Sequence, residues 1–227
     1  MNWKYYYFKE VNSTNDEALN YPVGSVIVAQ KQTAGRGRYG RQWLSEDGNL
    51  FLSAVLPDYG NDSPLLTFVA AVSVADSLAP FPVRIKWPND ILLNGGKLAG
   101  ILLERTDDKV IIGIGINLVS APTQNMLYRT ASLNGKVAKE DLIFKLTANL
   151  AHNAELLAQD GFAPIRDKWL KYAVGIGETI RVSLPNETLS GIFESFTPQG
   201  AISLKQANNT VRLITVGDVF FEQNKKG

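Results

Sequence analysis

Apolar positions along this chain follow two rhythms, and the change between them divides it. Up to about residue 175, short β-type runs alternate with helical stretches. Residues 5–8, 24–30, 49–56, 83–86, 91–93, 98–104 and 110–116 read as strands, because they are short, apolar and rich in β-branched residues. Between the first two, Ser13-Thr14-Asn15-Asp16-Glu17 opens a short helix, with Thr14 and Glu17 spaced as a capping box. Ser63-Pro64 has the form of an N-cap followed by N1 and predicts a helix to about Ala79. Leu142, Leu146, Leu150, Ala154 and Leu157 share one face of a helix over 139–159, which Gly161 ends, and 162–173 forms the last helix.

Past Gly175 the runs shorten and alternate. Residues 178–184, 189–196, 201–206, 210–214 and 219–221 are strands punctuated by Pro185-Asn186, Pro198-Gln199-Gly200 and Asn208-Asn209. Such meandering strands make a small β-barrel. The division is therefore 1–175 for a larger unit and 176–227 for an appended barrel.

Composition narrows the chemistry. The 227 residues are 45% hydrophobic and 20% charged, an ordinary globular balance, and the net charge of +1 leaves no global field for nucleic acid or membrane. With no Cys and one His, thiolate catalysis, Cys-based zinc sites and a Ser-His-Asp triad are excluded or improbable. The start lacks the apolar core of a signal peptide, and no apolar stretch reaches the ~20 residues of a membrane span, so the cytoplasm is the expected compartment.

The charge that matters is local. No acidic residue lies between Glu17 and Glu46, whereas Lys31, Arg36, Arg38 and Arg41 crowd into Gly35-Arg36-Gly37-Arg38-Tyr39-Gly40-Arg41-Gln42-Trp43. Glycines expose backbone N–H groups and arginines offer forked donors, so the segment reads as an anion-binding loop. Gly35, Gly37 and Gly40 match a dinucleotide fingerprint, but a strand-like run follows where that fold requires a helix. Arg41-Gln42 stands where a P-loop needs Lys followed by Ser or Thr. A solvated basic hairpin or an RNA-binding arginine–glycine segment stays open on spacing alone.

Two further clusters carry polar residues out of apolar runs. In Lys86-Trp87-Pro88-Asn89-Asp90 the proline breaks a strand, and Gly95-Gly96 forms a hairpin turn that delivers Lys97 to the next strand. Gly113-Ile114-Gly115-Ile116-Asn117 is a buried strand whose glycines imply close backbone approach. Taken singly, Asn89-Asp90 reads as a turn, Lys97 as a solvated lysine and Asn117 as a strand-end residue.

Together these segments resemble the biotin–protein ligase family. The resemblance rests on Ser13-Thr14-Asn15, Gln32-Thr33-Ala34-Gly35-Arg36-Gly37-Arg38-Tyr39-Gly40-Arg41-Gln42-Trp43, Lys86-Trp87-Pro88-Asn89-Asp90, Lys97-Leu98-Ala99-Gly100-Ile101-Leu102 and Gly113-Ile114-Gly115-Ile116-Asn117, and covers residues 8 to 119. It implies an α+β fold: a mixed, mainly antiparallel sheet with packed helices, like the class II aminoacyl-tRNA synthetase and biotin ligase catalytic domains. The tail is similar to the family's SH3-like C-terminal domain. The implied activity has two steps: ATP converts biotin to biotinyl-5′-adenylate, and a lysine of a biotin carboxyl carrier protein then takes the biotinyl group.

The resemblance also implies roles. Ser13, Thr14, Asn15, Gln32, Gly35, Arg36, Gly37, Arg38 and Lys97 would bind biotin, with Lys97 and Arg38 acting catalytically. Arg41, Trp43, Asn89, Asp90 and Asn117 would bind ATP, with Trp43 stacking on adenine and Asp90 holding Mg²⁺ through ATP. Trp87 reads as core, Glu104 as structural or a carrier contact, and His152 as solvated. Some members carry an N-terminal helix-turn-helix and repress transcription; with its Ser-Thr-Asn motif at residue 13, this chain resembles the monofunctional form, with no DNA and no membrane among its partners. A homodimer is compatible. The rival readings are a lipoate–protein ligase and a non-enzymatic anion- or RNA-binding module.

Overall fold

A computed structural model describes residues 1–123 and 129–221. Seven strands form the larger sheet: β1 (Lys4–Val11), β2 (Ser25–Gln32), β3 (Leu50–Pro57), β4 (Val83–Lys86), β5 (Asp90–Leu93), β6 (Gly96–Arg105) and β7 (Lys109–Ile116). Their order is β1-β2-β3-β7-β6-β5-β4. β1 and β2 are parallel, joined through α1 (Thr14–Ala18), and every other pair is antiparallel.

The two faces of this sheet have different jobs, as side-chain alternation along β7 makes plain. Val110, Ile112, Ile114 and Ile116 join the main apolar cluster with α2 (Leu66–Ser77), α3 (Lys139–Asp160) and α4 (Phe162–Tyr172). α2 is apolar nearly all round and buried nearly throughout, as expected for a helix with packed neighbours on every side. The alternate residues Ile111, Gly113 and Gly115 point the other way. Ile111 packs with Ile27, Val55 and Ala18 of α1, and the two glycines leave a depression beside it. Cross-strand pairing extends the depression into rows: Ile27–Ser53–Gly113–Leu102, and Ala29–Phe51–Gly115–Gly100–Asp90.

Five strands make the second sheet: β8 (Thr179–Ser183), β9 (Thr188–Phe196), β10 (Ile202–Lys205), β11 (Val211–Ile214) and β12 (Asp218–Phe221), ordered β11-β10-β9-β8-β12 and antiparallel throughout. This sheet accords with an SH3-like barrel. It docks on the larger sheet's helices through Phe196, whose ring lies 4.6 Å from Trp169 and 5.8 Å from Phe68. Trp87 is buried as core, its indole N–H donating to the Gly200 carbonyl, and His152 is exposed. No described helix is long and apolar enough to cross a membrane.

Several local expectations change. Ser13, not Thr14, caps α1, because its hydroxyl accepts the Asn15 N–H while the Thr14 side chain turns inward. The stretch from Ser63 does not start an α-helix: residues Gly60–Leu65 form a 3₁₀ turn, in which Ser63 donates to Asp58 and accepts from the Tyr59 N–H. The turn before Lys97 is Asn94-Gly95 rather than Gly95-Gly96, since those two residues carry the positive φ angles of 50° and 77° that a two-residue hairpin requires.

Candidate active site

A cavity of about 540 Å³ opens over the glycine rows, on the sheet face away from α2, α3 and α4. Ser13, Thr14, Asn15, Gln32, Arg36, Gly37, Arg38, Arg41, Trp43, Asn89, Asp90, Lys97 and Asn117 all line it. Gly35 does not; it is a packing position, where a Cβ would lie 2.7 Å from the Trp43 carbonyl oxygen and 2.9 Å from Gln32 Nε2.

One end of the cavity is polar and uncharged. The Thr14 N–H donates to Gln32 Oε1 (2.8 Å), and Thr14 Oγ1 lies 3.1 Å from the same oxygen. Asn15 enters from α1 and lies flat over Gly113, where an added Cβ would fall 2.3 Å from Asn15 Oδ1. Its Nδ2 donates to Glu104 Oε2 (2.6 Å), and its Oδ1 faces Ser53 Oγ (2.6 Å). Both ends of the Asn15 amide are therefore committed to protein. Asn15 nevertheless borders the cavity, and these bonds hold its side chain in place there.

Arg36 is likewise committed. It forms ion pairs with Asp16 (2.6 Å) and Glu104 (3.2 Å), and these bonds, that to Asp16 foremost, hold its guanidinium above its usual pKa. Arg36 lines the cavity while these two ion pairs tie the loop to α1 and β6. Glu104 joins both networks, accepting from Asn15 and pairing with Arg36.

The loop itself is an irregular hairpin. The Gly37 N–H donates to the Arg41 carbonyl and the Trp43 N–H to the Gly35 carbonyl, while Tyr39 (φ 57°) and Gly40 (φ 70°) reverse the chain. Arg38 donates to Asn89 Oδ1 and the Gly217 carbonyl (both 3.3 Å), and Arg41 pairs with both oxygens of Asp218 (2.9 Å). The second sheet thereby supplies a carboxylate to the cavity wall. Trp43 lies on the glycine floor; a Cβ at Gly115 would fall 2.5 Å from its ring and one at Gly100 2.8 Å.

The opposite end is charged. Lys97 pairs with Asp90 at 2.6 Å and lies 5.7 Å from the Trp43 ring centroid. Asn117 Nδ2 donates to the carbonyls of Lys97 and Ala131, and Asn89 Nδ2 to that of Ile101 (2.6 Å), so these amides fix the strands that carry Lys97. Beneath, Lys86 is 7% exposed. Its pKa is lowered by burial first; Asp90 and Asp218 oppose the shift, and Lys97 and Arg41 add to it. Among the described residues Lys86, Lys97, Arg38 and Arg41 gather at this end with Asp90 and Asp218, a concentration of cationic side chains that suits an anion.

Two known families of sequence cover this fold. Residues 6–117 match the model of the Biotin/lipoate A/B protein ligase family, and residues 175–222 match the Biotin protein ligase C terminal domain. The chain is 37% identical to a biotin--[acetyl-CoA-carboxylase] ligase of Paracoccus denitrificans, over 92% of this chain and 97% of that protein.

The chain belongs to the biotin–protein ligase family.

It is also 35% identical to the bifunctional ligase/repressor of Bacillus subtilis, over 88% of this chain and 67% of that one. The solved biotin protein ligase of Aquifex aeolicus in complex with biotin and ATP superposes with a TM-score of 0.84 at 26% identity, covering 96% of this chain and 98% of its own. The mixed α+β fold read from the sequence is the fold of this biotin ligase.

Sequence reasoning missed three contributors to the site. Ser53 sits inside an apolar strand, Asp218 lies in the other sheet, and Lys86 was seen only as part of a motif. The one sequence signal for any of them was Lys86 at the head of the Lys-Trp-Pro-Asn-Asp run.

Proposed function

We infer that this chain activates biotin with ATP and transfers it to a lysine of a biotin carboxyl carrier protein. The observation that carries this reading is one cavity with a neutral polar end and a cationic end. Ser13, Thr14 and Gln32 suit a ureido ring, which must exchange its water hydrogen bonds for protein ones on burial. The apolar ring of lipoate would leave those groups unpaired, so the lipoate alternative is disfavoured.

In the first step a biotin carboxylate oxygen bonds to the ATP α-phosphorus, and the bond to the bridging oxygen breaks as pyrophosphate leaves. The protein's task is to hold two anions together and stabilise the charge between them. Lys97 and Arg38 do this at the reacting oxygens: Lys97 exchanges Asp90 for the phosphate, and Arg38 exchanges the Gly217 carbonyl. Arg41, Trp43, Asn89, Asp90 and Asn117 form the ATP side, with Trp43 beside adenine. In the second step the carrier amine attacks the biotinyl carbonyl, AMP leaves, and the amine loses a proton.

Mg²⁺ fits this donor set, because it binds through one or two carboxylates together with substrate phosphates. Asp90 would hold it, and when bound it supplies charge neutralisation.

The remaining parts of the reading concern assembly. The units are 1–175 and 176–227, and the compartment is the cytoplasm. The reading does not include duplex DNA as a partner: among the described residues of the second sheet Arg212 pairs with Glu187 and Lys205 lies 3.8 Å from Glu194, so basic side chains there are interspersed with acidic ones. Exposed Tyr7 on the edge strand β1 and exposed Phe144 on α3 are the surface proposed for a homodimer. The test of function is pyrophosphate release from ATP, which must depend on added biotin and not on lipoate.

A further inference from the structure

The carboxylate of Glu104 can only accept hydrogen bonds, so the Asn15 nitrogen must be the atom that faces it at 2.6 Å. The Asn15 oxygen is thereby turned toward Ser53 Oγ, also at 2.6 Å. An amide oxygen cannot donate, so the single Ser53 proton goes to Asn15. Ser53 Oγ lies 2.7 Å from Thr14 Oγ1, and that short contact then needs the Thr14 proton. Gln32 Oε1, 3.1 Å from Thr14 Oγ1, is a rival acceptor, but with the Thr14 proton there the shorter 2.7 Å contact with Ser53 would set lone pair against lone pair, so the proton goes to Ser53. Ser53 is fully buried and Thr14 and Asn15 nearly so, so water does not scramble the chain of bonds.

We propose that Ser53 is a specificity-determining positioning residue: the relay from Glu104 through Asn15 and Ser53 consumes the Thr14 proton and presents Thr14 to the cavity as an acceptor only. The group it selects is a ring N–H. This deepens the biotin reading and rests on it. A ureido ring supplies that N–H. A cyclic carbamate, which carries a ring oxygen in its place, sets lone pairs against lone pairs.

The test compares biotin with both regioisomeric cyclic carbamate analogues in ATP-dependent pyrophosphate release by the full chain. The wild type must first use biotin; if it does not, the functional reading fails and the proposal with it. A site built for a donor rejects an analogue lacking one by ~10³-fold or more. In Ser53→Ala the Thr14 proton is released. The KM for biotin should rise ~10-fold with kcat changed less than ~3-fold, and the preference over one carbamate should narrow by ~10-fold or more. Glu104→Gln is half-exposed, and its amide can turn either way. That variant should narrow the same preference by roughly 3-fold, so the question survives if Ser53→Ala does not fold. An unchanged preference in a folded variant, even with a raised KM, would make Ser53 a packing residue and overturn the proposal.

Discussion

Gly115→Ala puts one methyl group where the structure leaves no space. The added Cβ would lie 2.5 Å from Trp43 Cε2, 2.7 Å from Nε1 and 2.8 Å from Cζ2. Carbon atoms in contact settle at about 3.5–4.0 Å, so the indole must lift by roughly 1 Å. β7 cannot yield, because it is paired along its length to β3 and β6. The loop can, since Trp43 is tied to it by one backbone bond to Gly35. The substitution should therefore spare stability; at an ordinary strand φ, alanine even gains about 0.4–1 kcal/mol through the unfolded chain. Its effect falls on the nucleotide. A base stacked on an aromatic ring is worth about 1–3 kcal/mol, so misplacing the ring should raise the KM for ATP by ~5-fold or more. The assay is pyrophosphate release at saturating biotin and varied ATP, with thermal unfolding as control. A rise confined to biotin, or no change in the KM for ATP, would refute the placement of Trp43 on the ATP side.

Three further outcomes are expected. Lys97→Met keeps length and removes charge, and should cost about 2.7–4 kcal/mol of transition-state stabilisation, seen as a ~100-fold or greater fall in adenylate formation with the fold intact. Arg38→Gly should speed release of the bound adenylate while leaving the unfolding midpoint little changed; an unchanged off-rate would reduce Arg38 to a loop charge. The Tyr172 phenol is pushed up to about 12, first by burial and then by Asp76, to which it donates at 2.8 Å. Its folded pKa lies above the unfolded value of about 10, so it contributes stability below pH ~10 that is lost as pH rises toward 12; Tyr172→Phe should flatten that part of the stability–pH curve.

The legible part of the site was the part written in consecutive residues. The hairpin arginines, the Lys86–Asp90 segment between β4 and β5 and the glycines of β7 each announce close approach or charge in their own sequence. What they approach is not written there. Gly113 and Gly115 look alike in sequence, yet one receives Asn15 and the other Trp43, because α1 and the loop arrive from different strands of the sheet. Arg36 and Arg41 also look alike beside Arg38, but their partners are separated from them by up to 177 positions. Strand register turns Glu104 toward Arg36, and docking of the second sheet sets Asp218 against Arg41. Ser53 was invisible because a small polar residue in an apolar strand has no local signature until its neighbours across the sheet are known. The fold was easier, since alternation in the strands and the 3.6-residue period of α3 follow from burial alone. The miss at Thr14 came from a side chain that turned to tertiary partners, Ser53 and Gln32, and the miss at Ser63 from a hydroxyl held by its local neighbours Asp58 and Tyr59 in a 3₁₀ turn.

The central claim is transfer, and a mass measurement on the acceptor tests it most directly. A purified biotin carboxyl carrier domain is incubated with this chain, ATP, Mg²⁺ and biotin, and both the intact carrier and its lysine-to-methionine acceptor variant are weighed. The intact carrier should gain one biotinyl group on that lysine, AMP and pyrophosphate should appear in equal amounts, and the variant should gain nothing. An unmodified carrier in the presence of biotin-dependent pyrophosphate release, or a carrier modified equally well with lipoate, would contradict the account.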